Sequence, residues 1–327
     1  MEPVPPPLVA IVGPTAVGKT DLVLRLADRL DLEVVSADSR QIYRGMDIGT
    51  AKPSAEERSR VCHHLLDLVE PGQSLTLAQY QQLAFQAIDS ILARGRLPFL
   101  VGGTGLYVWS VLGNWRIPRV PPDHDLRQAL EAEAKERGAL HLHRRLAALD
   151  PVAAQGIHPN NVRRVIRALE VQAVSGIPAS RLRGRDRTRY RCLIIGLTAS
   201  RNELYERADR RVEAMLAKGL VAEVRRLLDG GVPADCPAMS GIGYRQISEY
   251  LAGLYGLDEA VRRIKTATHR FIRQQNTWFR LDDRRISWHA LPVDLEAVAA
   301  KIEAFLANAP PVGGSGYAAA CSSADDV

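Results

Sequence analysis

Between an apolar run, Leu8-Val9-Ala10-Ile11-Val12, and a helical pattern carrying Leu22, Leu26 and Leu30 stands the octapeptide Gly13-Pro14-Thr15-Ala16-Val17-Gly18-Lys19-Thr20. Strand, glycine-bounded loop and helix in this order constrain the chain more than any other stretch, because a strand end must open directly onto a helix N-terminus. Gly13 and Gly18 permit the backbone curl that turns successive N–H groups inward as an anion nest. The helix terminus adds its partial positive charge. Lys19 can reach phosphate oxygens as a point charge, and the Thr20 hydroxyl is placed to ligate Mg²⁺. Residues 13–20 are therefore expected to bind a di- or triphosphate; the loop alone leaves open which one.

A second short run, Glu33-Val34-Val35-Ser36, reads as a strand that delivers Asp38 into a long polar loop over residues 38–50. Loops of this length and polarity carry function. In open α/β sheets ligands bind beyond the carboxyl ends of the strands, so Asp38 should share a rim with the phosphate loop. Periodicity predicts a helix over 75–93, then a buried strand, Leu97-Pro98-Phe99-Leu100-Val101, running into Gly102-Gly103-Thr104-Gly105 at the same rim. Alternating strands and helices predict a parallel sheet.

The rhythm changes at the proline-rich connector 116–122. Helices are expected over 126–136, 140–149 and 162–174 with no clear strand, until Cys192-Leu193-Ile194-Ile195-Gly196-Leu197 resumes the strand pattern. Further helices are expected over 201–216 and 221–228. A glycine-hinged loop over 239–246 opens another helix, and a basic helix over 260–279, a short strand over 286–288 and a last helix over 293–306 follow. The fold class is thus α/β, a P-loop NTPase-like doubly wound parallel sheet with a helical insertion domain. Its expected parts are a core over 1–122 and 192–309, an insertion over 123–191, and a disordered tail over 310–327.

The hydrophobic content of 46% suits a globular protein with a sizeable core. Four cysteines, far apart and without a C-x-x-C pair, read as reduced thiols without metal. His63-His64 and the pair His141, His143 lack carboxylates at metal spacing and read as structural. The start of the chain shows no signal-type pattern, and no apolar run approaches the roughly 20 residues that span a bilayer. A cytoplasmic protein is expected, without a membrane partner.

Charge is concentrated. Residues 158–191 carry nine arginines and no lysine against Glu170 and Asp186, a local excess of +7 in a chain of net +6. Arg181, Arg183, Arg185, Arg187, Arg189 and Arg191 alternate at period two and would line one face if extended. Arg163, Arg164 and Arg167 share a helix surface. Guanidinium forks suit phosphate oxygens, and the sparse opposite charge favours a nucleic-acid surface over a solvated loop. A second basic run, Arg262 to Arg280, interleaves with His269, Phe271, Trp278 and Phe279. Unstacked bases favour such a mixture, although the two last aromatics suit a core equally well.

The residues quoted, with Gly45-Met46-Asp47-Ile48-Gly49-Thr50-Ala51-Lys52-Pro53, Asp150-Pro151, His158-Pro159-Asn160, Arg167-Ala168-Leu169-Glu170, Gly243-Tyr244-Arg245-Gln246 and Thr277-Trp278-Phe279-Arg280, occur in the order found in one family. Over about residues 8–300 the chain resembles the bacterial tRNA dimethylallyltransferases, or tRNA isopentenyltransferases, of the IPP transferase family. The resemblance implies transfer of a dimethylallyl group from dimethylallyl diphosphate to N6 of adenosine 37, beside the anticodon. The partners implied are the tRNA anticodon stem-loop and dimethylallyl diphosphate, with Mg²⁺ as cofactor and a monomeric enzyme. The family usually reads Lys-Arg-Gln where this chain has Arg273-Gln274-Gln275.

The phosphate loop, Lys19 and Mg²⁺ on Thr20 would hold a leaving diphosphate. The acceptor amine must lose a proton as the C–N bond forms, and Asp38 is the candidate base, with a Mg²⁺-ligand or helix-cap role as its alternatives. Ser39, Arg40 and Gln41 would read the extruded adenine. Thr104 and Arg127 match family positions that contact tRNA. Thr104 also suits an N-cap, and Arg127 a pair with Glu131. Arg163, Arg164, Arg167, Ser240, Gly241, Gly243, Tyr244, Arg245, Arg273, Gln275, Trp278 and Arg280 would hold the anticodon arm. Two other readings are a small-molecule kinase, which has no need of a long arginine-rich insertion, and a non-catalytic RNA-binding protein, which has no need of an intact Lys19, Thr20 and Asp38.

Overall fold

The computed structural model describes residues 4–308, which form two compact units, one over residues 4–112 and 189–308 and one over 113–188. The expectation for the tail over 310–327 lies outside the described residues. The first unit begins with β1 (Pro7–Val12), α1 (Lys19–Ala27), β2 (Leu32–Ala37), α2 (Ala55–Arg60), β3 (His63–His64), α3 (Leu77–Ala93), β4 (Leu97–Gly102) and α4 (Gly105–Leu112). The second unit holds β5 (Trp115–Arg116), α5 (His124–Arg137), α6 (Ala139–Leu149), α7 (Pro151–Gln155), α8 (Val162–Ser175), α9 (Ala179–Leu182) and β6 (Gly184–Arg185). The chain then returns to the first unit with β7 (Arg191–Thr198), α10 (Arg201–Ala217), α11 (Leu220–Asp229), α12 (Tyr244–Leu251), α13 (Leu257–Trp278), β8 (Ile286–Ala290) and α14 (Leu295–Ala307).

The six-stranded sheet runs β3-β2-β4-β1-β7-β8, with every pairing parallel. Leu8 to Val12 are fully buried because β1 is central and covered on both faces. Order reverses around β1, so the loops after β1, β2 and β4 converge on one edge, the crevice where such sheets bind ligands. Gly102 closes the spacing there: a Cβ would lie 2.2 Å from the Ala37 carbonyl oxygen.

The second unit has its own core, built on Leu142, Leu146, Val165, Ile166 and Leu169. Its ends meet in an antiparallel ladder, Trp115 with Arg185 and Arg116 with Gly184. That ladder corrects the expectation that the insertion holds no strand; the compact unit that contains it spans 113–188, beside the expected 123–191. Two-residue strands carry no periodicity to detect. The extended arginine face is also corrected. Arg181 lies in α9, Arg185 in β6 and Arg191 in β7. Arg189 stacks on Phe85 and pairs with Asp89, and Arg191 covers Phe305 and donates to its carbonyl.

Candidate active site

The phosphate loop leaves β1 with Gly13 at φ 144°, where a Cβ would meet the Leu197 carbonyl at 2.5 Å. Gly18 caps α1 in the left-handed region, and Ala16 joins it there at φ 64°, a conformation costly for a residue with a Cβ. Arg207 of α10 donates to the Ala16 carbonyl at 2.9 Å and holds that strained peptide. The Lys19 ammonium lies on the Gly13 and Pro14 carbonyls at 3.0 and 2.9 Å. Burial and the Arg211 guanidinium push Lys19 down to about 8, with the Asp38 charge opposing them.

The loop after β2 is stitched to the other strand ends. Asp38 accepts from the Arg40 amide at 2.8 Å. The Ser39 amide donates to the Thr104 hydroxyl at 3.1 Å, while the Thr104 carbonyl accepts the first helical bonds of α4. Thr104 therefore opens the helix with its backbone and spends its side chain on the neighbouring loop. Arg40 reaches the Pro237 carbonyl at 2.6 Å and the Ser240 hydroxyl at 3.3 Å. Gln41 donates to the Thr50 and Ala51 carbonyls, which folds the long loop back on itself. Buried Gln275 of α13 accepts from the Thr15 amide at 2.8 Å and donates to the Gly103 carbonyl at 3.1 Å. The last turns of α13 thus fasten the β1 and β4 loops together.

Two chambers open at this rim. One of about 690 Å³ holds Lys19, Thr20, Gly18, Arg207 and Arg210. The other, of about 480 Å³, is largely apolar, with Val212, Met215, Ile264, Phe271 and Trp278 on its wall beside Thr104, Gly241 and Tyr244. Thr15, Ala16, Asp38, Thr50 and Arg211 line both. Asp38 therefore stands at the junction between an anion-binding chamber and an apolar one. Among the described residues Arg211 makes no side-chain hydrogen bond or ion pair. Burial lowers its pKa, and the Asp38 carboxylate opposes that shift.

Of the residues singled out in the sequence, 13–20, Asp38, Ser39, Arg40, Thr104, Ser240, Gly241, Gly243, Tyr244, Gln275 and Trp278 line one chamber or both, apart from Gly13, Pro14 and Val17, which sit behind them. Gln41 lines the anion chamber. Phe279 is buried, whereas Trp278 stays partly exposed over Gly105, where a Cβ would strike its ring at 2.2 Å. Arg245, Arg273 and Arg280 lie off the chamber walls, on Glu249, Tyr205 and Asp282. In the second unit Arg163 and Arg164 are exposed. Arg127 and Arg167 are both taken by fully buried Glu170. Arg127 makes a bidentate pair there at 2.8 and 2.9 Å, and not with Glu131 as its spacing had suggested. Arg207, Arg210, Arg211 and Glu223 had no signal in the sequence, since each looks like an ordinary charge on an amphipathic helix.

The donors that could hold Mg²⁺ are the Thr20 hydroxyl and the Asp38 carboxylate, hard oxygens in one chamber. Among the described residues the one cluster with soft-metal ligands is Glu33, Cys62 and His64. There Glu33 is already held by Arg94 and Arg96, which oppose a cation. Cys62, Cys192 and Cys236 are free thiols. No described helix is long and apolar enough to cross a membrane.

The sequence profile of the family described as IPP transferase matches residues 41–282, and that described as isopentenyl transferase matches residues 6–70. The chain is 54% identical over 296 residues to a tRNA dimethylallyltransferase of Roseiflexus sp. (strain RS-1), a match covering 90% of this chain and 97% of the relative. A crystal structure of the tRNA isopentenylpyrophosphate transferase from Bacillus halodurans is similar at 45% identity and TM-score 0.67, over 92% of this chain and 95% of that one. A eukaryotic dimethylallyltransferase acting on tRNA shares the fold at TM-score 0.79 and 24% identity, over 93% of this chain and 80% of that one.

Proposed function

The chain belongs to the IPP transferase family, and from that premise we propose that it is a tRNA dimethylallyltransferase that alkylates N6 of the adenosine beside the anticodon, adenosine 37. The observation that carries this reading is the position of Asp38, where the phosphate-loop chamber meets the apolar chamber. A donor with a diphosphate head and a five-carbon tail spans that junction, and an extruded purine enters from the apolar side between Trp278 and Tyr244.

The bond between the allylic carbon and the diphosphate oxygen breaks as N6 attacks that carbon. The N6 proton passes to the Asp38 carboxylate, and diphosphate departs. The loop amides, Lys19 and Arg211 stabilise charge that grows on the departing oxygens in the transition state. Arg211 suits this role because it lines both chambers and, among the described residues, forms no ion pair. Thr20 would hold Mg²⁺, which when bound supplies further positive charge to the diphosphate. Ser39 and Thr104 fix the Asp38 loop through their mutual bond. The exposed arginines of the second unit, Arg163 and Arg164, would take the phosphates of the anticodon arm.

Incubation with labelled dimethylallyl diphosphate, ATP or GTP, with and without tRNA, tests the reading. Label in the RNA, dependent on tRNA and on the allylic donor, is expected. Nucleotide hydrolysis would favour a kinase, and RNA retention without turnover a binding protein.

A further inference from the structure

The loop that carries Gly49 and Thr50 into the apolar chamber has no regular structure, yet three consecutive amides in it, those of Asp47, Ile48 and Gly49, are bonded. Glu223, on α11 and 2% exposed, is the reason. One carboxylate oxygen accepts from the Asp47 and Ile48 amides at 3.1 and 2.9 Å, and the other from the Gly49 amide at 3.1 Å and from the Tyr244 hydroxyl. One buried anion thus fills three consecutive backbone donors and the phenol of a residue that lines the chamber. A buried carboxylate left without such donors would cost several kcal/mol, so the loop and α12 are held at one height by the same side chain. Gly49 shows how close that fit is: a Cβ there would lie 2.5 Å from the Tyr244 ring. Lys52 fastens the other flank, donating to the Tyr43 carbonyl and to Asp47 and Asp67.

Gly49 and Tyr244 line only the apolar chamber, and Lys19 and Thr20 only the anion chamber. We infer that Glu223 is a positioning residue for the acceptor half of the site. It sets the wall formed by Gly49 and Tyr244 against which the extruded adenine is aligned, and it leaves the diphosphate half untouched. This inference rests on the transferase reading above and adds to it a division of labour.

Glu223→Gln keeps the shape but places an NH₂ group against donors that need an acceptor. The wall then shifts. The variant is expected to lose roughly tenfold to a hundredfold in kcat/KM for tRNA, as displacements of about 1 Å do, while KM for dimethylallyl diphosphate stays within about twofold. Should Glu223→Gln fail to unfold cooperatively, Gly49→Ala tests the same wall without touching a buried charge, because Gly49 does not occupy the left-handed region. The same one-sided loss is expected. Equal losses for both substrates, or no loss in either variant, would overturn the inference. A wild-type protein that makes no alkylated RNA would instead overturn the activity reading itself.

Discussion

At the scale of single residues, the site is governed by groups whose charge the fold makes costly. Lys19, pushed down to about 8, is the clearest. Its charged form is disfavoured in the empty enzyme, so the ammonium that greets a diphosphate is present below about pH 8 and lost above it. Binding of the donor at higher pH must take up a proton. Accordingly kcat/KM for dimethylallyl diphosphate should fall as pH rises through about 8 and on to 9.5, measured at saturating tRNA. A profile flat across that interval would show that Lys19 stays charged without its ligand. The octapeptide made Lys19 and Thr20 legible from sequence, because its strand and helix neighbours leave one geometry. Arg207, Arg211 and Glu223 were not legible. Each is one charge among many on a helix; the meaning of Arg207 and Glu223 comes from loops that tertiary packing brings into hydrogen-bond reach, and that of Arg211 from the two chambers it lines.

At the scale of elements, the helical insertion is held by a polar joint as well as by its apolar core. Glu170, in the middle of α8, receives Arg127 from α5, Arg167 from its own helix and the Asp123 amide that precedes α5. Burial alone would raise the Glu170 pKa, but these donors outweigh it and the net shift is downward. Glu170→Ala leaves two guanidinium groups without their anion, and should destabilise the protein by roughly 3–5 kcal/mol. Thermal unfolding followed by circular dichroism reads this directly, and a melting temperature unchanged from wild type would refute the joint. The long helices were recoverable from periodicity because their apolar faces are buried continuously. The alternating arginines misled, since period two is the strand signature only where a strand forms, and here a helical turn, a bridge and a strand share the run.

At the scale of the whole molecule, much of the positive charge is already engaged within the fold. Arg127 and Arg167 serve Glu170, Arg189 serves Asp89, and Arg191 packs on Phe305. Arg163 and Arg164 remain exposed. If they contact tRNA phosphates, Arg163→Ala and Arg164→Ala should each reduce the slope of log affinity against log salt by about 0.7–0.9. An unchanged slope would remove them from the interface. The parallel order of the sheet then explains why so few residues do the chemistry: three strand ends meet at one crevice, and the loops after β1, β2 and β4 are bonded to one another through Thr104 and Gln275.

Asp38 is where those loops, both chambers and Arg211 come together, and single-turnover transfer by Asp38→Ala probes it most directly. Labelled dimethylallyl diphosphate would be mixed with enzyme and tRNA, and tRNA affinity measured on the same preparation. A base at that position should be worth on the order of 10²–10⁴ in rate, so the expected result is transfer lost by that factor with tRNA affinity within about twofold of wild type. Transfer at the wild-type rate, or a loss of tRNA binding as large as the loss of transfer, would contradict the role assigned to Asp38.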